Sequence, residues 1–257
     1  MSRTRVGPET IYATHHDRGA ANSDLPPLVL IHGAGDSHVQ WPPQLRFMAG
    51  VTVYALDLPG HGQSTGAARD TIEAYRDVVL AWADVLALPR FVIAGMSMGG
   101  AIAQAVALAD PARLAGLILV GTDARLPVAP AILEGLRTDF AGTVRQIAQW
   151  VHRRTPDQAM VELYARRLLA VDPAVIIGDF EACNRFDVTA QVSQIDLPTL
   201  VIVGSEDRMT PARRSRWLAE QLPHAQLVEI DGAGHAVASE APAVTADAIG
   251  AFLRDMV

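Results

Sequence analysis

Ser97 stands at the centre of Gly95-Met96-Ser97-Met98-Gly99, between the apolar run Phe91-Val92-Ile93-Ala94 and the small residues Gly100-Ala101-Ile102-Ala103. A serine between a strand and a helix, with glycine two residues to either side, matches the Gly-x-Ser-x-Gly nucleophile elbow. The turn must be sharp enough to push the hydroxyl clear of the backbone, which strains the serine. Its neighbours must lack a Cβ so that strand and helix can approach closely. The helix N-terminus then aims unpaired N–H groups and a positive dipole end at any negative oxygen that forms there. A serine hydroxyl is a weak nucleophile until a base removes its proton. Histidine, with a reference pKa of about 6.5, can do that near neutral pH, and a carboxylate can fix the ring and stabilise the imidazolium.

Such a turn has to be held by a sheet. Leu28-Val29-Leu30-Ile31 is apolar throughout, as a strand buried on both faces of a parallel sheet must be. Further strands are expected at 51–56, 114–120, 198–203 and 227–230, with an early alternating one at 10–14. His15-His16 then lead into a polar turn at 17–24; neighbours on a strand face opposite ways, so the two cannot share a metal. Residues 71–87 read as an amphipathic helix, with Ile72, Tyr75, Val79, Trp82 and Leu86 three and four apart, Thr71 as N-cap and Pro89 just past the end. Strands alternating with helices argue for one doubly wound, mainly parallel α/β sheet. From Ala124 to about Asp187 no strand-like run occurs, and helices are expected at 131–140, 143–153, 156–169 and 173–184. Thr155-Pro156-Asp157-Gln158 reads as a helix start, with Thr155 as cap, Pro156 first and Gln158 closing the box.

These motifs resemble the α/β-hydrolase superfamily, and more narrowly its esterase-like members with a helical cap. Besides the elbow, the resemblance rests on His32-Gly33-Ala34-Gly35 after a strand and on the loop Asp57-Leu58-Pro59-Gly60-His61-Gly62-Gln63-Ser64. It rests also on Gly204-Ser205-Glu206-Asp207 and on Gly234-His235 followed by Glu240-Ala241-Pro242. It covers nearly the whole chain and implies a core of residues 1–123 and 188–257 with a cap at 124–187. It implies Ser97 as nucleophile, His235 as base and Asp207 as the orienting acid, with the backbone N–H groups of Ala34 and Met98 as oxyanion hole. Each of the three side chains follows an expected strand, and parallel strands bring such loops to one edge, where open α/β sheets place their sites. Glu206 and Asp123 remain competitors for the acid, and His224, His61 and His38 for the base. His32 is expected to brace its loop, and the 57–64 loop to be scaffold. Leu133, Leu136, Phe140, Trp150 and Tyr164 are candidates for a pocket wall under the cap, and Cys183 for a buried cap residue. Arg153-Arg154 and Arg166-Arg167 read as solvated helix faces.

The expected reaction is carboxylic-ester hydrolysis through an acyl-serine. The resemblance also admits lactone, carbon–carbon and peracid chemistry on the same residues, and a ligand receptor without turnover stands as the alternative from another class. Serine at position 97 disfavours dehalogenase and epoxide-hydrolase chemistry, where relatives use Asp. No metal or organic cofactor is implied, and Gly-x-Gly-x-x-Gly and Walker patterns are missing. The chain has 257 residues, half of them hydrophobic, with net charge −7 and no run of basic residues, which disfavours a nucleic-acid surface. Its one cysteine, Cys183, cannot form an internal disulfide. The first eight residues lack the apolar core of a signal peptide, and no stretch approaches the ~20 apolar residues of a membrane span. The expectation is a cytoplasmic monomer or homodimer acting on a small ester-like molecule.

Overall fold

The computed structural model describes residues 2–17 and 24–256, so most of the polar turn expected at 17–24 lies outside the described residues. In chain order the strands are β1 (Ser2–Val6), β2 (Glu9–His16), β3 (Leu28–Ile31), β4 (Val53–Leu56), β5 (Phe91–Met96), β6 (Leu114–Val120), β7 (Thr199–Gly204) and β8 (Ala225–Ile230). They form one sheet in the order β1-β2-β4-β3-β5-β6-β7-β8. The pairings β1/β2 and β2/β4 are antiparallel and all others parallel, so β2 alone runs against the rest. The chain steps outward from β3 to β4 and then crosses back to β5 on the other side of β3. This reversal between β3 and β5 is the crevice at which such sheets hold ligands, and Ser97 lies at its end.

The helices are α1 (Pro43–Arg46), α2 (Ile72–Val85), α3 (Met98–Ala109), α4 (Pro130–Thr138), α5 (Phe140–Val151), α6 (Gln158–Leu169), α7 (Pro173–Arg185), α8 (Ala212–Gln221), α9 (Val237–Glu240) and α10 (Pro242–Arg254). The apolar strands divide their side chains by the period of two. Val29, Ile31, Ile93, Leu117 and Leu119 pack with α2 and α3 on one face. Leu28, Leu30, Val92, Ala94 and Ile118 pack with α10 on the other. Both faces of the central strands are therefore core, which is why those runs carry no polar residue. Four helices, α4 to α7, connect β6 to β7 in the chain, and most of their buried residues join the second of these cores.

Two local readings change. Ser2–Val6 forms an edge strand that its polar alternation did not announce; Arg3 and Arg5 point outward and only Thr4 is buried. At the start of α6 the N-cap is Asp157, whose carboxylate accepts from the Ala159 N–H, and not Thr155. Aspartate caps as well as threonine does and stands two residues closer to the first apolar contact, Val161. Thr71 does cap α2, accepting from the Ala74 N–H at 3.3 Å, and Tyr75 and Trp82 on that helix are buried.

Candidate active site

The elbow follows from close packing. A Cβ on Gly95 would run into the Gly99 carbonyl, and one on Gly99 into the Ile31 carbonyl, so β5, α3 and β3 meet backbone to backbone. Between them Ser97 has φ 54° and ψ −115°, a left-handed conformation that costs a residue with a side chain about 1–3 kcal/mol. The strain is held by hydrogen bonds on both sides. The Ser97 N–H donates to the Val120 carbonyl at 2.9 Å, and the Ser97 carbonyl accepts from Thr122 Oγ1 and the Gly100 N–H, each at 2.9 Å.

The loop after β3 presents its N–H groups unevenly. Gly33 N–H donates to Gln40 Oε1 at 2.6 Å and Gly35 N–H to Asp179 Oδ2 at 2.7 Å. The Ala34 N–H between them has no hydrogen-bond partner among the described residues, and neither has Met98 at the first position of α3. Two free N–H groups thus flank Ser97. A Cβ on Gly33 would sit 3.3 Å from the Ser97 Cβ, so the loop lies directly against the serine.

His235 and Asp207 meet from the ends of β8 and β7. The ring Nδ1 lies 2.8 Å from Asp207 Oδ2, and both residues are buried. The other carboxylate oxygen, Oδ1, accepts from the Met209 and Thr210 N–H groups at 2.8 Å each, while Thr210 Oγ1 donates to Oδ2 at 2.9 Å. With four donors around it the carboxylate is pinned, and Nδ1 of His235 is committed to it, which leaves Nε2 as the free ring nitrogen. The loop carrying His235 is in turn tied to the helical insert, because Ala236 N–H donates to the Val151 carbonyl at 2.8 Å. Glu240, from the Glu-x-Pro ending, accepts from the N–H groups of Gly234 and Arg153.

The competing residues are otherwise engaged. Glu206 accepts from the Arg154 N–H at 2.7 Å, and Asp123 pairs with Arg214 at 2.7 Å. His224 pairs with Asp196 at the opposite edge of the sheet, and His38 with Asp57. His61 is buried against Asp179 at 2.8 Å. His32 braces its loop as expected: Nε2 accepts from Leu58 N–H at 3.0 Å, which leaves the proton on Nδ1 to donate to the Gly33 carbonyl at 2.8 Å. Burial, together with the charge on nearby His61, lowers its pKa to about 4, in keeping with that neutral ring.

Ser97, Ala34 and His235 line one cavity of about 260 Å³. Leu126 and Val128 wall it from the chain after β6, and Ile147, Val151, Leu168 and Phe180 from the insert. Of the five candidates for this wall only Tyr164 lines it; Leu133, Leu136, Phe140 and Trp150 pack elsewhere in the insert. Cys183 reaches the cavity, with its thiol pKa pushed up by burial.

Asp179 escaped the sequence reading. It is a fully buried carboxylate on α7 that accepts from Tyr75 Oη at 2.6 Å, from Gly35 N–H and from His61 Nε2. One signal for it exists: it falls on the apolar stripe Val175, Ile176, Phe180 and Cys183, at helical spacing.

Residues 28–248 match a family described as "Alpha/beta hydrolase family". The chain is similar to the pimeloyl-[acyl-carrier protein] methyl ester esterase of Neisseria meningitidis serogroup A, with 32% identity over 244 residues, 89% of this chain and 75% of that protein. The enzyme of the same name from Nitrosomonas europaea is 28% identical over 231 residues, 82% of this chain and 89% of that one. Among solved structures, a thermophilic esterase superposes with a TM-score of 0.85 at 30% identity, covering 99% of this chain and 97% of that one. The enol-lactonase from Burkholderia xenovorans reaches a TM-score of 0.88 at 23% identity, over 98% and 100% of the two chains, a likeness of fold alone.

Proposed function

The chain belongs to the alpha/beta hydrolase family, and from that premise we propose that it hydrolyses esters through an acyl-serine formed on Ser97. Its reaction is ester hydrolysis. His235 Nε2 takes the Ser97 proton as Oγ attacks the ester carbonyl, and Asp207 holds the ring and stabilises the imidazolium. The tetrahedral oxyanion sits between the N–H groups of Ala34 and Met98, where loss of one donor typically costs about 3 kcal/mol. Collapse releases the alcohol with the proton from His235, and a water activated by the same ring frees the acid and restores Ser97.

Residues 124–187 serve as the cap over this site in the same reading, and residues 1–123 and 188–257 as the core. The observation that carries the proposal is the buried Asp207–His235 pair opening onto the cavity that Ser97 lines. A cavity of about 260 Å³ holds on the order of ten non-hydrogen atoms, if water's share of about 30 Å³ is taken as the unit. That suits a small or medium ester.

A fluorophosphonate should label the protein once, on the peptide containing Ser97, with loss of p-nitrophenyl butyrate hydrolysis in step with labelling. Labelling at another residue, or hydrolysis that survives full labelling of Ser97, would overturn the assignment.

A further inference from the structure

The cavity has a second chemical character besides the apolar walls. Arg125, Arg208, Arg213 and Arg214 also line it, and among the described residues no aspartate or glutamate does. In a chain of net charge −7 this is a local reversal of sign in the cavity that Ser97 lines.

The four are not equivalent. Arg214 is paired with Asp123 at 2.7 Å, and Arg208 donates to the carbonyls of Gln149 and His152. Arg125 and Arg213 are exposed and make no ion pair among the described residues. Asp187, whose backbone bridges that of Arg125, is exposed and takes its hydrogen bond from Thr189, and the Arg125 charge reaches both it and Asp123 without an ion pair to either.

The placement of two of these arginines works against the helix that carries them. Arg213 and Arg214 stand in the first turn of α8, a turn with no acidic residue. Cations there oppose the helix dipole, which favours acids at that end. Helix stability alone does not account for arginine at 213, while recognition of an anion does.

We propose that Arg125 and Arg213, backed by Arg214, form an anion subsite at the mouth of the cavity, and that the substrate is an ester bearing a carboxylate or phosphate remote from the bond cleaved. Planar guanidinium groups bind both oxyanions with paired hydrogen bonds, and the apolar walls hold the chain between the anion and the ester. The subsite deepens the esterase reading and rests on it.

The test compares monomethyl adipate with methyl hexanoate, which differ in the remote carboxylate. Wild-type kcat/KM should favour the anionic ester, and R125A/R213A should lower that preference about tenfold, the scale of two partly exposed charge-assisted contacts. Raising the salt should narrow the wild-type preference. Arg216→Ala, on α8 but paired outside the cavity with Glu229, should leave the ratio as it is. A wild-type ratio near one, or a ratio the double variant does not change, overturns the subsite while leaving ester hydrolysis standing.

Calorimetry on Ser97→Ala decides the point without turnover. Monomethyl adipate should bind about tenfold tighter than methyl hexanoate, and equal affinities overturn the proposal even if neither ester is hydrolysed by the wild type. Pentyl phosphate in the same titration separates the two oxyanions: tighter binding than monomethyl adipate assigns phosphate, weaker binding carboxylate.

Discussion

Ser97 occupies a strained backbone state, so the fold has to stabilise it, and Val120, Thr122 and Gly100 do so by hydrogen bonds to its backbone. Asp207 differs from Glu206 and Asp123 in having the His235 ring against it. Asp207→Asn should therefore cut kcat by about three to four orders of magnitude, measured on p-nitrophenyl butyrate. Glu206→Gln and Asp123→Asn should each cost less than tenfold, and a reversal would move the acid. His32 gives a stability prediction with a definite sign. Burial and the His61 charge lower its folded pKa from the ordinary 6.5 to about 4. The unfolded chain therefore binds a proton first, and the contribution of His32 is complete above pH 6.5 and is lost as the pH falls toward 4. The loss approaches about 3 kcal/mol, at about 1.4 kcal/mol per pH unit. In urea titrations the gap between wild type and His32→Gln should be constant above pH 6.5 and shrink below it. A gap that does not change between pH 6.5 and 4 would rule out a neutral buried ring. His61 carries the opposite sign: burial opposes its charge, but the carboxylate of Asp179 outweighs that and raises its pKa. Its contribution is present below pH 6.5 and lost as the pH rises through the raised value.

At the scale of elements, α7 reaches across the molecule through Asp179. This carboxylate joins the insert to the loop after β3 by Gly35, to the 57–64 loop by His61 and to α2 by Tyr75. Because Gly35 adjoins Ala34, the insert helps set the position of the Ala34 N–H, the proposed oxyanion donor, as well as the apolar wall. Removing the acceptor strands three buried donors, one of them charged, so Asp179→Ala should destabilise by about 3–5 kcal/mol. Tyr75→Phe, which removes one donor and leaves the acceptor with two, should cost about 1.5–3 kcal/mol. Chemical denaturation checks the order, and a larger loss for Tyr75→Phe than for Asp179→Ala would mean that the carboxylate is not the hub.

Over the whole molecule the insert does not fold around a centre of its own. Ile132, Leu136, Val144, Ile147 and Leu168 belong to the same buried cluster as Val92, Ala94 and Ile118 of the sheet and Phe252 of α10. Thermal unfolding should accordingly be one cooperative transition, with ellipticity and tryptophan fluorescence coincident. Two separated transitions would show the insert melting independently.

The sequence by itself determined the strands from β2 onward and their alternation with helices, the elbow and the loops on which Asp207 and His235 lie. Those features are written in short windows: apolar runs with no polar member, glycines that only a close approach requires, and strand ends that a parallel sheet gathers at one edge. Tertiary structure alone decided which side chains meet. Asp179 looked like any helical carboxylate until α7 was packed against Gly35, His61 and Tyr75. The cavity wall took Tyr164 but not Trp150 or Phe140, because a helix turns 100° per residue and the face it buries depends on its neighbours. The arginines at 125 and 213–214 are nearly ninety residues apart and share a cavity only because β6 and β7 are adjacent. Contacts of that length leave no periodic trace in the chain. The elbow itself was legible from ten residues, while the proposed donors, acid and base around it depended on the ends of four strands, β3, β5, β7 and β8, being brought together.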